Sequence, residues 1–165
     1  MKRCAQFRFA YLFLGFMTIL LAGCGFQLRK DAQLPFEQAY VEASEGSRIA
    51  PLLRQSLAAQ EKLAADKTGA PILIVVQAER HSKDILSLSG AGKVREYRFR
   101  YQATLQVLDA ASQPLITPIL LQQVRDVTYE ENFALAKETE EHQVRRNMEE
   151  QALRQALRRL AYVKR

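Results

Sequence analysis

The sequence predicts an α+β fold: a two-layer, four-stranded sheet with both helices packed on one face, in the chain order β-α-β-β-β-α. Three observations predict it. Tyr97, Phe99, Tyr101, Ala103, Leu105 and Val107 alternate with Glu96, Arg98, Arg100, Gln102, Thr104 and Gln106, the two-residue period of a half-buried strand. A second alternating run begins at Ile72 and is separated from the first by the turn residues Ser89-Gly90-Ala91-Gly92. Near the C-terminus, Val144, Met148, Ala152, Ala156, Leu157 and Leu160 repeat at helical spacing. Strands followed by a long amphipathic helix call for two layers around one core.

The N-terminus comes before any of this. Lys2, Arg3 and Arg8 precede an apolar run of 13 residues, Phe9 to Leu21, too short for a bilayer span of roughly 20 residues but the length of a signal-peptide core. Leu21-Ala22-Gly23-Cys24 is a lipobox, so residues 1–23 read as a signal peptide and Cys24 as the lipidation site. Each buried methylene contributes about 0.8 kcal/mol, so the diacylglyceryl and N-acyl chains expected on Cys24 anchor stably where one chain would not. Gly25 replaces the aspartate that commonly retains lipoproteins in the inner membrane, which favours the outer membrane.

Residues 24–35 read as a lipidated tether and residues 36–165 as one domain. Cleavage removes three basic residues and no acidic one, so the formal charge falls from +6 to +3. Such a modest charge gives no reason to expect nucleic acid as a partner. With Cys4 removed and Cys24 acylated, the domain has no thiol for a disulfide or a metal. The 142 residues of the mature chain must be held by an ordinary core, which at that size buries roughly two thirds of the unfolded surface.

Ala39 to Glu42 reads as a short strand. Ser47 can cap a helix with apolar positions Ile49, Leu52, Leu53, Leu57 and Leu63, and Pro51 falls in its first turn, where a missing N–H costs little. From Ile72 to Ser89 one long or bent strand is expected. Ile72, Ile74, Val76 and Ala78 lie on one face, with Leu86 and Leu88 in the same parity; Gln77, Glu79 and His81 lie on the other. Ile119 to Tyr129 is a further strand, which Pro118 marks as an edge or a strand start. Asn132 reads as the cap of the closing helix, and Glu141/Arg145 and Glu150/Arg154 as outward i,i+4 pairs.

Chemistry is scarce. His81 and His142 read as solvated surface residues with no partner at catalytic spacing, and Glu138, Glu140 and Glu141 as a charged helix face rather than a metal site. Ser89 to Lys93 fails as a phosphate loop, because Ser87 stands where its first glycine belongs and Val94 where it needs Ser or Thr. Lys93 and Arg95 beside the glycines, with Lys137 from the long helix, form a cationic group suited to phosphates. Spacing alone leaves open whether this is a ligand site or a set of solvated strand ends.

Several stretches decide between readings. They are Cys24-Gly25-Phe26-Gln27-Leu28-Arg29, Ser89 to Tyr97 (SGAGKVREY), Ala134-Leu135-Ala136-Lys137 followed by Glu140 and Glu141, and Met148 with Arg158-Arg159-Leu160. On these the mature chain resembles the LptE family of lipopolysaccharide-assembly lipoproteins, although it stops soon after the closing helix, without the polar tail of some relatives. The resemblance implies a sheet of four strands with two helices, no covalent reaction, and no cofactor beyond the lipid on Cys24. It implies an outer-membrane location, anchored in outer-membrane lipid on the periplasmic side, within the lumen of an LptD-type β-barrel whose assembly the protein supports. It also implies lipopolysaccharide binding, for which Lys93, Arg95 and Lys137 are the candidates to meet lipid A phosphates; Tyr97, Arg98 and Arg100 are candidates to face the barrel. Competing readings are another lipoprotein adaptor, such as a pilotin-like partner of a secretin, and a hydrolase acting on cell-wall material.

Overall fold

A computed structural model of the chain describes residues 33–129 and 134–163, with backbone only for 134–137. Cys24, most of the expected tether and the Asn132 cap lie outside them. The elements are β1 (Ala39–Ala43), α1 (Ile49–Ala59), β2 (Ile72–Leu88), β3 (Val94–Asp109), β4 (Ile119–Thr128) and α2 (Ala134–Leu160). The four strands form one sheet in the order β1-β2-β3-β4. β1 runs parallel to β2, with α1 as the crossover, and β2-β3 and β3-β4 are antiparallel hairpins. The α+β fold class, element order and two-layer arrangement agree with the expectation.

The core lies between the sheet and the helices. Val41, Ile74, Phe99, Tyr101, Leu105, Val107 and Leu121 come from the sheet; Ile49, Leu53 and Leu57 from α1; Met148, Ala152, Ala156 and Leu160 from α2. The α2 residues recur every four positions, so their stripe follows the helix axis, and its alanines allow close approach to the sheet. Leu34, assigned above to the tether, is already buried in this core, as is Phe36.

Three local features depart from the sequence reading. First, α1 ends at Ala59 and not near Leu63. Glu61 takes a left-handed conformation (φ +57°), and the N–H of Lys62 donates back to the Leu57 carbonyl at 2.8 Å, closing the helix. The chain then bridges to β1: Ala39 N–H donates to the Lys62 carbonyl (2.9 Å) and Ala64 N–H to the Ala39 carbonyl (3.0 Å). Leu63 packs half-buried from that bridge.

Second, β2 carries a bulge. Gln77 pairs with Thr104 and Arg80 with Gln102, so Ala78 and Glu79 together oppose Ala103. Ala78 accommodates the extra residue with φ +49°. Because the side-chain period is two, one inserted residue exchanges the faces of everything beyond it. Glu79, His81 and Lys83 therefore turn toward the helices, and His81 is not the solvated residue expected. Third, Glu141 does not pair outward along α2; it is drawn inward onto Lys83. Glu150–Arg154 is an outward pair at 3.7 Å, as the spacing implied.

Candidate functional site: the β2–β3 hairpin and the outer sheet face

At the end of the β2–β3 hairpin, Ser89 N–H donates to the Lys93 carbonyl (2.7 Å), Gly92 N–H to the Ser89 carbonyl (2.9 Å), and Lys93 N–H to Ser89 Oγ (3.2 Å). Gly92 has φ +78°, a conformation that costs glycine little. This turn places Lys93 and Arg95 within three residues of each other, both exposed. Lys137 belongs to the first turn of α2 by its backbone, and its side chain lies outside the described residues. The three sequence candidates are thus joined in the structure only as far as Lys93 and Arg95.

Below the tip, the face of the sheet away from the helices is a lattice of polar pairs. Arg98 donates twice to Asp126, Nε to Oδ1 and Nη2 to Oδ2, each at 2.7 Å. That fork holds the Asp126 carboxyl below its ordinary range, chiefly through the hydrogen bond itself. Arg100 pairs with Asp84, Arg80 donates to the Gln102 amide oxygen (2.9 and 2.6 Å), and Gln77 donates to that of Gln106 (3.3 Å). The face is hydrophilic yet internally compensated: two of its arginines are matched by aspartates on neighbouring strands. Leu120 and Val124 interrupt it on β4.

Tyr97 is set apart from Arg98 and Arg100, on the opposite face. Lys83 Nζ lies 4.1 Å from its ring centroid, and Tyr129 meets it edge-on at 5.5 Å. Any partner on the outer face meets the two arginines but not this ring.

The turned-in end of β2 builds a polar layer that sequence reasoning missed. Glu79 reaches the start of α1, where its carboxylate accepts from Arg48 N–H and Ile49 N–H (each 3.1 Å) and from Ser47 Oγ (2.5 Å). Tyr101 Oη donates to the same carboxylate at 3.0 Å, and burial, with that carboxylate nearby, pushes the Tyr101 phenol well up. Ser47 Oγ also accepts from Ala50 N–H at 3.2 Å, so the expected capping residue works jointly with a strand carboxylate 32 residues away. His81 packs on Tyr101 (centroids 4.8 Å apart), with Nε2 3.1 Å from Glu149 Oε1 but off the line of a hydrogen bond.

That proximity alone would favour an ion pair. Burial acts more strongly: it lowers the His81 pKa, helped by Arg145, and raises that of Glu149, so both charged forms are disfavoured. Beside Glu149 a cavity of about 450 Å³ opens between the start of α1 and the middle of α2, lined by Ser47, Arg48 and Arg146 among others. The Ser47 hydroxyl at its edge is committed to Glu79 and to the α1 backbone. One trace of the layer is legible in sequence: from Glu79 to Asp84 neither parity is apolar, as a strand with polar partners on both faces requires.

Among the described residues the fold is a mixed sheet with helices on one face and a compensated polar lattice on the other, the architecture of a small α+β lipoprotein domain. The sequence model of LptE, described as lipopolysaccharide-assembly, matches residues 33–160. The LPS-assembly lipoprotein LptE of Pectobacterium atrosepticum is 30% identical over 154 residues, covering 90% of this chain and 83% of that one. The protein of the same name from Photorhabdus laumondii is 29% identical, covering 94% and 87%. Among solved structures, lipoprotein B from Nitrosomonas europaea superposes with a TM-score of 0.71 at 29% identity, over 83% of this chain and 90% of that one. A minor lipoprotein from Acinetobacter baumannii shares the fold at a TM-score of 0.64.

The chain belongs to the LptE family. It is an outer-membrane lipoprotein with a role in lipopolysaccharide assembly, and it is not an enzyme.

Proposed function

We propose that this protein is anchored in the outer membrane on its periplasmic side by acyl chains on Cys24. There it lodges in the lumen of an LptD-type β-barrel, supports that barrel's assembly, and binds lipopolysaccharide on its way to the cell surface. Family membership across residues 33–160 supports the role. The observation that carries the mode of binding is the outer sheet face, where Arg98 and Arg100 are neutralised by Asp126 and Asp84. A wall of that kind suits the polar interior of a wide outer-membrane barrel, which an apolar face would not. Lys93, Arg95 and Lys137 are the proposed contacts to lipid A phosphates, and Arg98 and Arg100 the proposed outer-face contacts to the barrel; Tyr97, also a barrel candidate by sequence, could meet it only from the opposite face.

Photocrosslinkers placed singly from 89 to 100 test the seating: adducts with lumen-facing barrel residues are expected. Adducts with a secretin and none with the barrel would point to a pilotin-like adaptor instead. For the lipid, a combined Lys93→Glu, Arg95→Glu, Lys137→Glu variant should fold as the parent does and bind lipopolysaccharide more weakly. Unchanged binding would remove these cations from the site.

A further inference from the structure

Three of the large apolar side chains most exposed among the described residues fall in one four-residue run: Ile85 (60%), Leu86 (40%) and Leu88 (56%). Their exposure is built in. β2 slips register twice here, between Ile85 and Ser87 and between Ser87 and Leu88, so the strand loses the alternation that would turn one set inward. Ile85 lies level with Tyr97 and Val127, at the last rungs of the three-stranded part; beyond it the neighbouring strand gives no cover, since β4 ends at Thr128, opposite Glu96, and the hairpin continues as two strands. At the turn, a Cβ added to Gly90 or Gly92 would meet nothing within 4 Å. Lys93 closes the turn and Arg95 sits on the returning strand, both exposed, and Leu88 pairs with Val94 between them.

Aliphatic surface left in water forgoes the stabilisation that a partner covering it would supply. A soluble phosphate would need the cations but not the leucines. A polar barrel wall would need neither Ile85 nor Leu88. A molecule that satisfies both halves is an anionic lipid, with phosphates beside its acyl chains.

We infer that the β2–β3 tip engages the acyl chains of lipopolysaccharide through Ile85, Leu86 and Leu88, while Lys93 and Arg95 hold its phosphates. This rests on the proposal that the hairpin cations meet lipid A, and it adds an apolar half to that contact.

The test uses the full mature chain carrying Cys24→Ala, so that its own lipid does not contribute. Three proteins are compared: this parent, the parent with Ile85→Asn, Leu86→Asn and Leu88→Asn, and the parent with Lys93→Glu and Arg95→Glu. Binding is measured to intact lipopolysaccharide, to fully deacylated lipopolysaccharide, and to phosphatidylglycerol vesicles. All three proteins should melt alike, because the substituted side chains are exposed. The asparagine variant should bind intact lipopolysaccharide about tenfold or more weakly, and should match the parent on the deacylated form, where no acyl chain remains to contact.

If the asparagine variant binds intact lipopolysaccharide like the parent while the glutamate variant is weakened, the acyl contact is wrong and the phosphate site stands. If neither is weakened, the phosphate reading falls as well. An equal loss on phosphatidylglycerol vesicles would make the tip a general membrane contact, and loss of barrel co-purification with lipopolysaccharide binding intact would make it a protein contact. Either result overturns the inference.

Discussion

Glu79 holds three parts of the molecule at one carboxylate: the start of α1, the Ser47 hydroxyl, and the Tyr101 phenol of β3. Glu79→Ala leaves two helix N–H groups and a buried phenol without their acceptor. Caps contribute about 1 kcal/mol and an orphaned buried hydroxyl a further 1–3 kcal/mol, so a loss of about 2–3 kcal/mol is expected in urea denaturation. A change below about 0.5 kcal/mol would show that water replaces the carboxylate without loss. At His81 burial favours the neutral ring, so the folded state binds a proton less readily than the unfolded chain does. The unfolded chain then holds more protons below the ordinary histidine value of 6.5, and this residue removes stability as pH falls through 6.5 toward the lowered folded value. Glu149, with its pKa raised from 4.5, works in the opposite direction: its contribution declines as pH rises above 4.5. Replacing the ring separates the two. In His81→Gln, melting temperature should fall less between pH 6.5 and pH 5 than in the parent; equal slopes would contradict the lowered pKa.

The β2 bulge is the element on which the site depends, since one extra residue puts Glu79, His81 and Lys83 under the helices. Ala78 adopts a left-handed conformation that costs an L-residue roughly 1–2 kcal/mol and glycine little. Ala78→Gly is therefore expected to raise stability by up to about 1 kcal/mol, part of the relief being offset by the greater freedom of the unfolded glycine, and Ala78→Val to lower it. Equal stability for Gly and Val would mean that the bulge relocates. At this scale the sequence was legible wherever one face was apolar. The β3 alternation and the α2 stripe transfer directly to the buried residues Phe99 to Val107 and Met148 to Leu160. It misled where nothing local marks a change of register: no glycine or proline flags Ala78, and parity counted from Ile72 runs onto the wrong face. The early end of α1 escaped for a similar reason, because Leu63 keeps helical spacing while packing from a β-bridge. The cationic turn was readable, whereas the pairing of Arg98 and Arg100 with aspartates on other strands was not, because it depends on register.

Over the whole molecule, three of the basic residues behind the formal charge of +6 fall in the expected signal peptide, and on the outer face aspartates pair with Arg98 and Arg100. Among the described residues no helix is long and apolar enough to cross a membrane. Attachment is then expected to depend on Cys24, and Cys24→Ala should leave the protein unacylated and mostly in the soluble fraction of cells. Firm membrane retention of that variant in cells lacking the barrel would contradict the lipobox reading.

The proposal that the protein supports an LptD-type barrel meets its most direct test in a depletion experiment read on the barrel itself. With this protein withdrawn, the barrel should accumulate in a misassembled form, and lipopolysaccharide should fail to reach the cell surface. A correctly folded barrel, present at the usual level and still delivering lipopolysaccharide, would contradict the account.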